Sequence, residues 1–581
     1  MHAHASEASA APSGGCDAQE AAPARRVRWL RRRGAAGSAG GSEEVRAIEA
    51  LRSHTSVRFI RGQRDLPVPE YLLRSLVLRF EAEMHVVVWC CVPGHNDIKE
   101  PSRSLTRGAF SRNCPAARAQ APPSCPRRVA VVTTAALPWL TGTSVNAALR
   151  AAHLCRRPEC EEVQLVVPWL APADQAIVMR QRFDTPQQQE AHIRAWLRKQ
   201  VDFDESRLRV RFYAGRYVHH YHSVLGVGDV TRSVDSAAEL VVLEEPEHLN
   251  WFHHGRAWLD AFPRVVGVIH TNYVEYANRE PDGAAKAFGL HHYNRLMAYA
   301  YCDGVVRLSG AVQDFPRQRT CNINGVSDRY LRLGRARGAQ PLPDGAYIIA
   351  KMQWGKAYTE LLDLVGRDRS FNIDVYGSGD DAEAIVTRAE REGLPMRFFG
   401  ARAGQGRYDH TDAAMRDYRV FVNPSLSDVV CTATAEALAM GKFVVVPEHP
   451  SNEFFSGFAN CLTYRSADEF KARMSQALRS QPAPLSADEQ RALSWDAATE
   501  RFLSEARADF GGAPGAVAAG AAVLHQGVTG SRLCRKLACG EVVVHEDSDE
   551  NKALIRQVDA HNGVKRAPRR GVWERLKTST P

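Results

Sequence analysis

The chain has 581 residues, 44% hydrophobic and 24% charged, with a formal charge of +9 and a pI near 8.9. That length exceeds what one hydrophobic core organises, and the composition excludes a wholly disordered chain. The positive balance points to an anionic partner without choosing among nucleic acid, acidic lipid and a phosphorylated substrate.

No apolar run approaches about 18 residues, the best being MHVVVWCCVP at 84–93, so any membrane link is expected to be peripheral. The 13 cysteines include no CxxC pair and no zinc-type spacing, which fits reduced thiols. Residues 1–124, rich in Ala, Gly, Ser, Pro and Arg, read as a low-complexity, largely disordered basic extension.

From Arg127 the character changes. RRVAVVTTA is a β-type run, LPWLTGTSVN a Gly-containing loop, and AALRAAHLC the start of a helix. Further strands are predicted at 162–168, 207–213, 240–243 and 265–270, with helices between them, including 187–201. The Gly/Pro/Arg-rich stretch GRARGAQPLPDGA reads as a linker, after which a second series begins with YIIAKMQW, FNIDVYG and RFFG. It continues into FVNPSLSDVVCTATAEALAMGKFVVVPEHPSNEFF, a strand, a polar loop, a short helix closed by Gly441 and another strand.

The alternation predicts an α/β protein of two Rossmann-like, doubly wound domains facing across a cleft, with disordered N- and C-terminal extensions. The expected boundaries are 125–335 and 345–482 for the two domains, 483–510 for a closing helix and 511–581 for a disordered tail. In such sheets ligands bind beyond the carboxyl ends of the strands, so the loops that follow strands are the places to look.

Four groups of residues stand there. Asp428 lies in the loop after a strand and Glu436 on the helix behind it, beside Thr432. Unpaired N–H groups at that helix start suit a diphosphate, and a carboxylate suits paired sugar hydroxyls. Lys351 and Lys356 follow the first strand of the second domain and supply positive charge for a leaving diphosphate. Gly142 permits close approach of a ligand to the backbone in the first domain, although a tight turn alone explains it as well. His270 ends the strand VVGVIH and suits a hydrogen bond to a sugar, or a satisfied place in the core.

Other signals are weaker. Glu244, Glu245, Glu247 and His248 in LEEPEHLNW lack the HExxH spacing of a metal site, and helix-start or acceptor-loop duty fits them better. Two Asp-x-Asp triplets, 202–204 and 547–549, arise readily by chance, and no metal is expected. Gly377-Ser378-Gly379 with Ala382 satisfies a dinucleotide fingerprint, but Arg402 stands where a ribose-binding acid belongs. No Walker A sequence and no GxSxG elbow occur.

Taken together, VVTTAALPWLTGTSVN, LEEPEHLNWFHHG, VVGVIHTNYVEYANRE, FNIDVYGSGDD and SDVVCTATAEALAMGKFVVVPEHPSNEFF resemble the digalactosyldiacylglycerol synthases of photosynthetic eukaryotes, retaining glycosyltransferases of the GT-B fold. The resemblance covers roughly 127–510. It implies transfer of galactose from UDP-galactose to monogalactosyldiacylglycerol without cofactor or metal. It also implies peripheral attachment to the cytosolic face of the chloroplast outer envelope, through anionic membrane lipids and with no nucleic-acid partner.

Carried over by position, Glu436 holds the ribose and Asp428, where related enzymes often have Glu, holds the hexose. Lys351 and Lys356 bind the diphosphate, Gly142 and Thr432 enclose it, and His270 touches the sugar. Arg150, Arg156, Arg157, Arg194, Trp196, Arg198 and Lys199 suit a basic membrane-facing surface on the first domain, although core packing fits Trp196 and Leu197 better. The competing readings are a related transferase with another acceptor, a non-catalytic lipid-binding protein on the same fold and, more distantly, a dinucleotide oxidoreductase.

Overall fold

The computed structural model describes residues 126–179, 181–279, 283–400, 410–512, 514–530 and 548–564, preceded by the backbone of an antiparallel pair, β1 (Ser75–Arg79) and β2 (His85–Trp89). The rest of the 1–124 extension lies outside the described residues.

The first sheet contains β3 (Arg128–Val132), β4 (Glu162–Leu170), β5 (Leu208–Val218), β6 (Ser223–Gly226), β7 (Leu240–Glu244), β8 (Arg264–Ile269), β9 (Gly304–Arg307) and β10 (Gln318–Thr320). Their spatial order is β10-β9-β8-β7-β3-β4-β5-β6, parallel throughout except for the β5–β6 hairpin at one edge. Helices cover both faces, which is why the strands are largely apolar runs: in β4 every residue from Val163 through Leu170 is buried.

The second sheet runs β13-β12-β11-β14-β15-β16, all parallel. Its strands are β11 (Ala346–Ile349), β12 (Ile373–Tyr376), β13 (Met396–Phe398), β14 (Val420–Val422), β15 (Phe443–Pro447) and β16 (Cys461–Tyr464). In each sheet the strand order reverses once, between β3 and β7 and between β11 and β14. The crevices at those reversals are where a doubly wound sheet binds ligands.

The chain then crosses back. Helices Ala487–Leu493 and Trp495–Arg507 follow the second domain, but the latter packs Trp495 and Phe502 into the core of the first. Val326 bridges to Ser494, and the His153 ring stacks on Trp495 with centroids 5.7 Å apart. The cleft loops also meet directly, with Ser309 Oγ donating to the Val429 carbonyl at 2.5 Å.

The tail is a correction. Residues 511–581 were expected to be disordered, yet helices Ala516–Thr529 and Asp549–Asn562 are ordered against the first domain. The first contains no charged residue, but its Ala518, Ala522, His525 and Thr529 form a buried stripe, and His525 bonds Tyr301 at 2.7 Å and Tyr293 at 3.0 Å. Burial pushes the His525 imidazole down to about 4, and a neutral ring fits its role between two phenols. The second is capped by Ser548 and ended by Gly563 at φ 68°, and its Gln557 accepts from Trp169 Nε1 at 2.7 Å. Alanine has high helix propensity, and helical periodicity in the sequence was the signal to weigh against the composition.

Candidate functional site

The loop after β11 carries both lysines but sends them to different acids. Lys356 closes a short turn, Trp354–Lys356, and the following Ala357 takes a left-handed φ of 74°. Its Nζ lies 3.0 Å from Asp428 Oδ1 and 5.3 Å from the Tyr276 ring centroid, so one ammonium joins the loops after β11 and β14 to a helix of the first domain. Lys351 is more than half exposed and pairs with the exposed Asp380 at 3.3 Å.

Burial works against the charge of Asp428. The Lys356 ammonium, with hydrogen bonds from Lys356, Asn423 and Ser425, nevertheless holds its carboxyl below the ordinary aspartate range. Burial likewise opposes the charge on Lys356, and Asp428 with Tyr276 more than offsets it, raising the ammonium pKa. The pair is therefore ionised at neutral pH. Asn423, just past β14, donates to Asp428 Oδ2 at 3.3 Å and to Thr434 Oγ1 at 3.4 Å, which ties the acidic loop to the helix behind it.

That helix, Thr432–Ala439, has no side-chain hydrogen bond capping its start and no acid in its first turn. Its leading N–H groups, beginning at Thr432, are thus available to an anion next to Asp428 and Lys356. The helix containing Gly142, Gly142–Cys155, is finished differently, by a capping box between Thr141 and Ser144. Gly142 itself faces open space, since a Cβ there would meet only Asn146 at 4.0 Å, and the backbone is accessible to a ligand. Glu436 lies one turn into its helix, half-buried, with His410 Nε2 3.9 Å from Oε2. His410 is in turn held by Tyr347 through a 2.5 Å hydrogen bond at Nδ1. No sequence motif marks His410, because the contact depends on the fold bringing 410 onto the helix at 432–439.

His270 follows β8, as its strand register predicts, but its ring turns inward. Nε2 bonds Glu244 at the end of β7, and the side chain is 6% exposed. The structure brings together Lys356, Asp428, Thr432 and Glu436 around the β11/β14 reversal and sets Gly142 and His270 around the β3/β7 reversal of the other domain. Lys351, on the same loop as Lys356, pairs with Asp380 rather than with Asp428.

The EEPEH segment has structural duties that its spacing did not reveal. Glu244 is fully buried against Arg150. Glu245 adopts φ 64°, ψ 65°, a conformation costly for a residue with a side chain, and accepts from Thr134 at 2.8 Å and from Thr271. Glu247 is buried with neither carboxyl oxygen partnered among the described residues. Burial and the neighbouring Glu245 push its carboxyl well above the ordinary glutamate range.

The GSG motif also has a packing explanation. A Cβ on Gly377, at φ 151°, would collide with the Ala350 carbonyl, and one on Gly379 with that of Met352. These glycines let the loops after β11 and β12 touch. Asp204 of the first Asp-x-Asp triplet caps a short turn through Ser206.

The basic surface expected on the first domain is corrected. Arg150 is completely buried, because its face of the helix packs onto the sheet and onto Trp495 and Phe502. Arg156 pairs with Asp496, Arg157 with Glu159 and Glu500, Arg194 with Glu190, and Arg198 with Glu205, so most of the remaining charge is neutralised locally. Trp196 packs against the core.

Residues 348–480 match the family model "Glycosyl transferases group 1". The chain is 46% identical over 394 residues to digalactosyldiacylglycerol synthase 1, chloroplastic, of Arabidopsis thaliana, covering 66% of this chain and 48% of that protein. It is 43% identical over 396 residues to digalactosyldiacylglycerol synthase 2, chloroplastic, of Lotus japonicus, covering 66% and 84%. The chain thus spans about half the length of the type 1 relatives it matches and most of the type 2 protein. Among solved structures, a sucrose-phosphate synthase of Thermosynechococcus elongatus aligns with 65% of this chain and 97% of its own, at a TM-score of 0.43 and 12% identity. With two doubly wound domains in the GT-B arrangement and this extent of identity, the chain belongs to the digalactosyldiacylglycerol synthase family.

Proposed function

We propose that the protein transfers galactose from UDP-galactose to the terminal galactose of monogalactosyldiacylglycerol, with retention, giving an α-linked digalactosyl lipid and UDP. The observation that carries this reading is the ionised Lys356–Asp428 pair beside the uncapped helix start at Thr432, at a strand-order reversal, in a chain of this family.

Glu436 would accept hydrogen bonds from the ribose hydroxyls and Asp428 from the hexose. Lys356 stands between hexose and diphosphate, and Lys351 would leave Asp380 to add a second cation. In the transfer, the acceptor oxygen bonds to the anomeric carbon as the bond to the diphosphate breaks on the same face. The leaving diphosphate oxygen takes the acceptor's proton. The two lysines and the helix dipole stabilise the negative charge that develops there, so the reaction is proposed to need no metal. The protein's contribution is then positioning and electrostatics.

Among the described residues no helix is long and apolar enough to cross a membrane. The relatives carry "chloroplastic" in their names, and we place this protein peripherally on the cytosolic face of the chloroplast outer envelope, held in part by anionic lipids. The test is incubation of the full chain with labelled UDP-galactose and vesicles containing monogalactosyldiacylglycerol. Labelled digalactosyl lipid is expected. Label in another lipid or a sugar would replace the acceptor, and UDP binding with no transfer to any acceptor would favour a non-catalytic lipid-binding protein.

A further inference from the structure

Three side chains from distant parts of the first domain form a closed ionic chain behind the cleft. Arg150, mid-way along the helix that begins at Gly142, donates from Nε to Glu244 Oε1 at 2.7 Å. The other carboxylate oxygen of Glu244 bonds His270 Nε2. Arg150 and Glu244 are fully buried and the His270 side chain nearly so. Such an arrangement is costly unless every group has its partner, and two of the three do. Arg150 also donates to the Ile323 carbonyl and to Asn324 Oδ1, both at 2.9 Å, on the segment that leads toward the second domain.

The third group is incomplete. The ring's one hydrogen bond among the described residues is the one Nε2 makes with a carboxylate, which leaves Nδ1 open. A carboxylate is an acceptor only, so Nε2 carries a proton. Burial alone would favour the neutral acid at Glu244, but Arg150 and His270 hold it ionised at about 2.

We propose that Glu244 is a positioning residue for sugar transfer: braced by Arg150, it fixes the His270 ring with the proton on Nε2 and leaves Nδ1 to meet a hydroxyl of the transferred hexose. This rests on the reading above, in which His270 faces the hexose. The orientation of the ring, and so the direction of Nδ1, is set by a carboxylate that never touches substrate. The same logic operates where outer carboxylates orient ligand histidines at metal sites.

The test is a double-mutant cycle on the full chain, with turnover, the KM for UDP-galactose and the Kd for UDP measured together. Glu244→Gln cannot accept from Arg150 and His270 at both oxygens. Its kcat is expected to fall about 100-fold, the loss that slight misplacement of a reacting group produces, with the KM for UDP-galactose and the Kd for UDP within about twofold of wild type. His270→Gln should lose as much, and the double variant no more than His270→Gln alone, since Glu244 acts through the ring.

Losses that multiply in the double variant, wild-type kcat in Glu244→Gln, or a parallel loss of UDP binding would each overturn the proposal. If Glu244→Gln does not fold, the charge-balanced pair R150M/E244Q replaces it in the cycle, removing both buried charges while keeping an apolar chain against Trp495 and Phe502; the same outcomes decide. Wild-type protein that fails to transfer galactose overturns the functional reading, and the inference with it. Wild-type transfer with multiplying losses overturns the inference alone.

Discussion

The two ends of the cleft handle charge in opposite ways. In the first domain, Arg150 and Glu244 are sealed from water with only the His270 ring reaching the cleft edge, and the surrounding helix start is closed by its own capping box. In the second, Lys356 and Asp428 are part-exposed, the neighbouring helix start has no side-chain cap, and Lys351 hangs on an exposed acid. A sealed pair cannot exchange partners without a large desolvation cost, whereas an open pair can. The first region is therefore built to hold geometry and the second to receive an anion.

The contrast can be broken by mutation, beginning with the largest effect. Lys356→Ala should cut turnover about 1,000-fold or more with unchanged circular dichroism, because it removes a cation from the leaving group; activity within tenfold of wild type would remove Lys356 from the diphosphate site. Glu436→Ala should behave likewise, with the loss appearing also in UDP affinity.

Next comes the sealed region's response to acid. Glu244 titrates at about 2 in the folded protein and at the ordinary 4.5 when unfolded. Its contribution is complete above pH 4.5 and is lost as pH falls toward 2, a change of roughly 3 kcal/mol. The Tm gap between wild type and Glu244→Gln should therefore narrow from pH 5 to pH 2, and a gap independent of pH would show that the ion pair is not the source.

Asp428→Ala should cost about 30-fold in kcat with UDP affinity nearly unchanged, which separates its hexose role from the nucleotide role of Glu436. The smallest effect is expected from Lys351→Ala, about fivefold, because this cation must first give up Asp380 and, being more than half exposed, acts on the diphosphate through screening water. A loss equal to that of Lys356→Ala would show that Lys351 swings fully onto the diphosphate.

Much of the architecture was legible because its signals are local. The apolar runs that became β3, β4, β7, β8, β11, β14 and β15 are read directly from residue order, and Gly441, at φ 74°, ends its helix where expected. Asp428 and Glu436 were visible for the same reason, lying eight positions apart across one loop and one helix turn. The C-terminal helices were missed because composition, rich in Gly and Ala in the first and charged in the second, was weighed above helical spacing. The membrane-facing arginines were misplaced because a list of basic residues carries no information on which face of a helix is buried, and Arg150 lies on the inner one.

Sequence by itself determined the two α/β series, their order and the residues at the carboxyl ends of the strands, since hydrophobic periodicity and turn chemistry act over a few neighbours. Tertiary structure alone decided the partners: Lys356 with Asp428 across 72 positions, Arg150 with Glu244 across 94, and Tyr347 with His410 across 63. Charge pairing and burial depend on distance in space, and only the folding of both sheets makes those distances short.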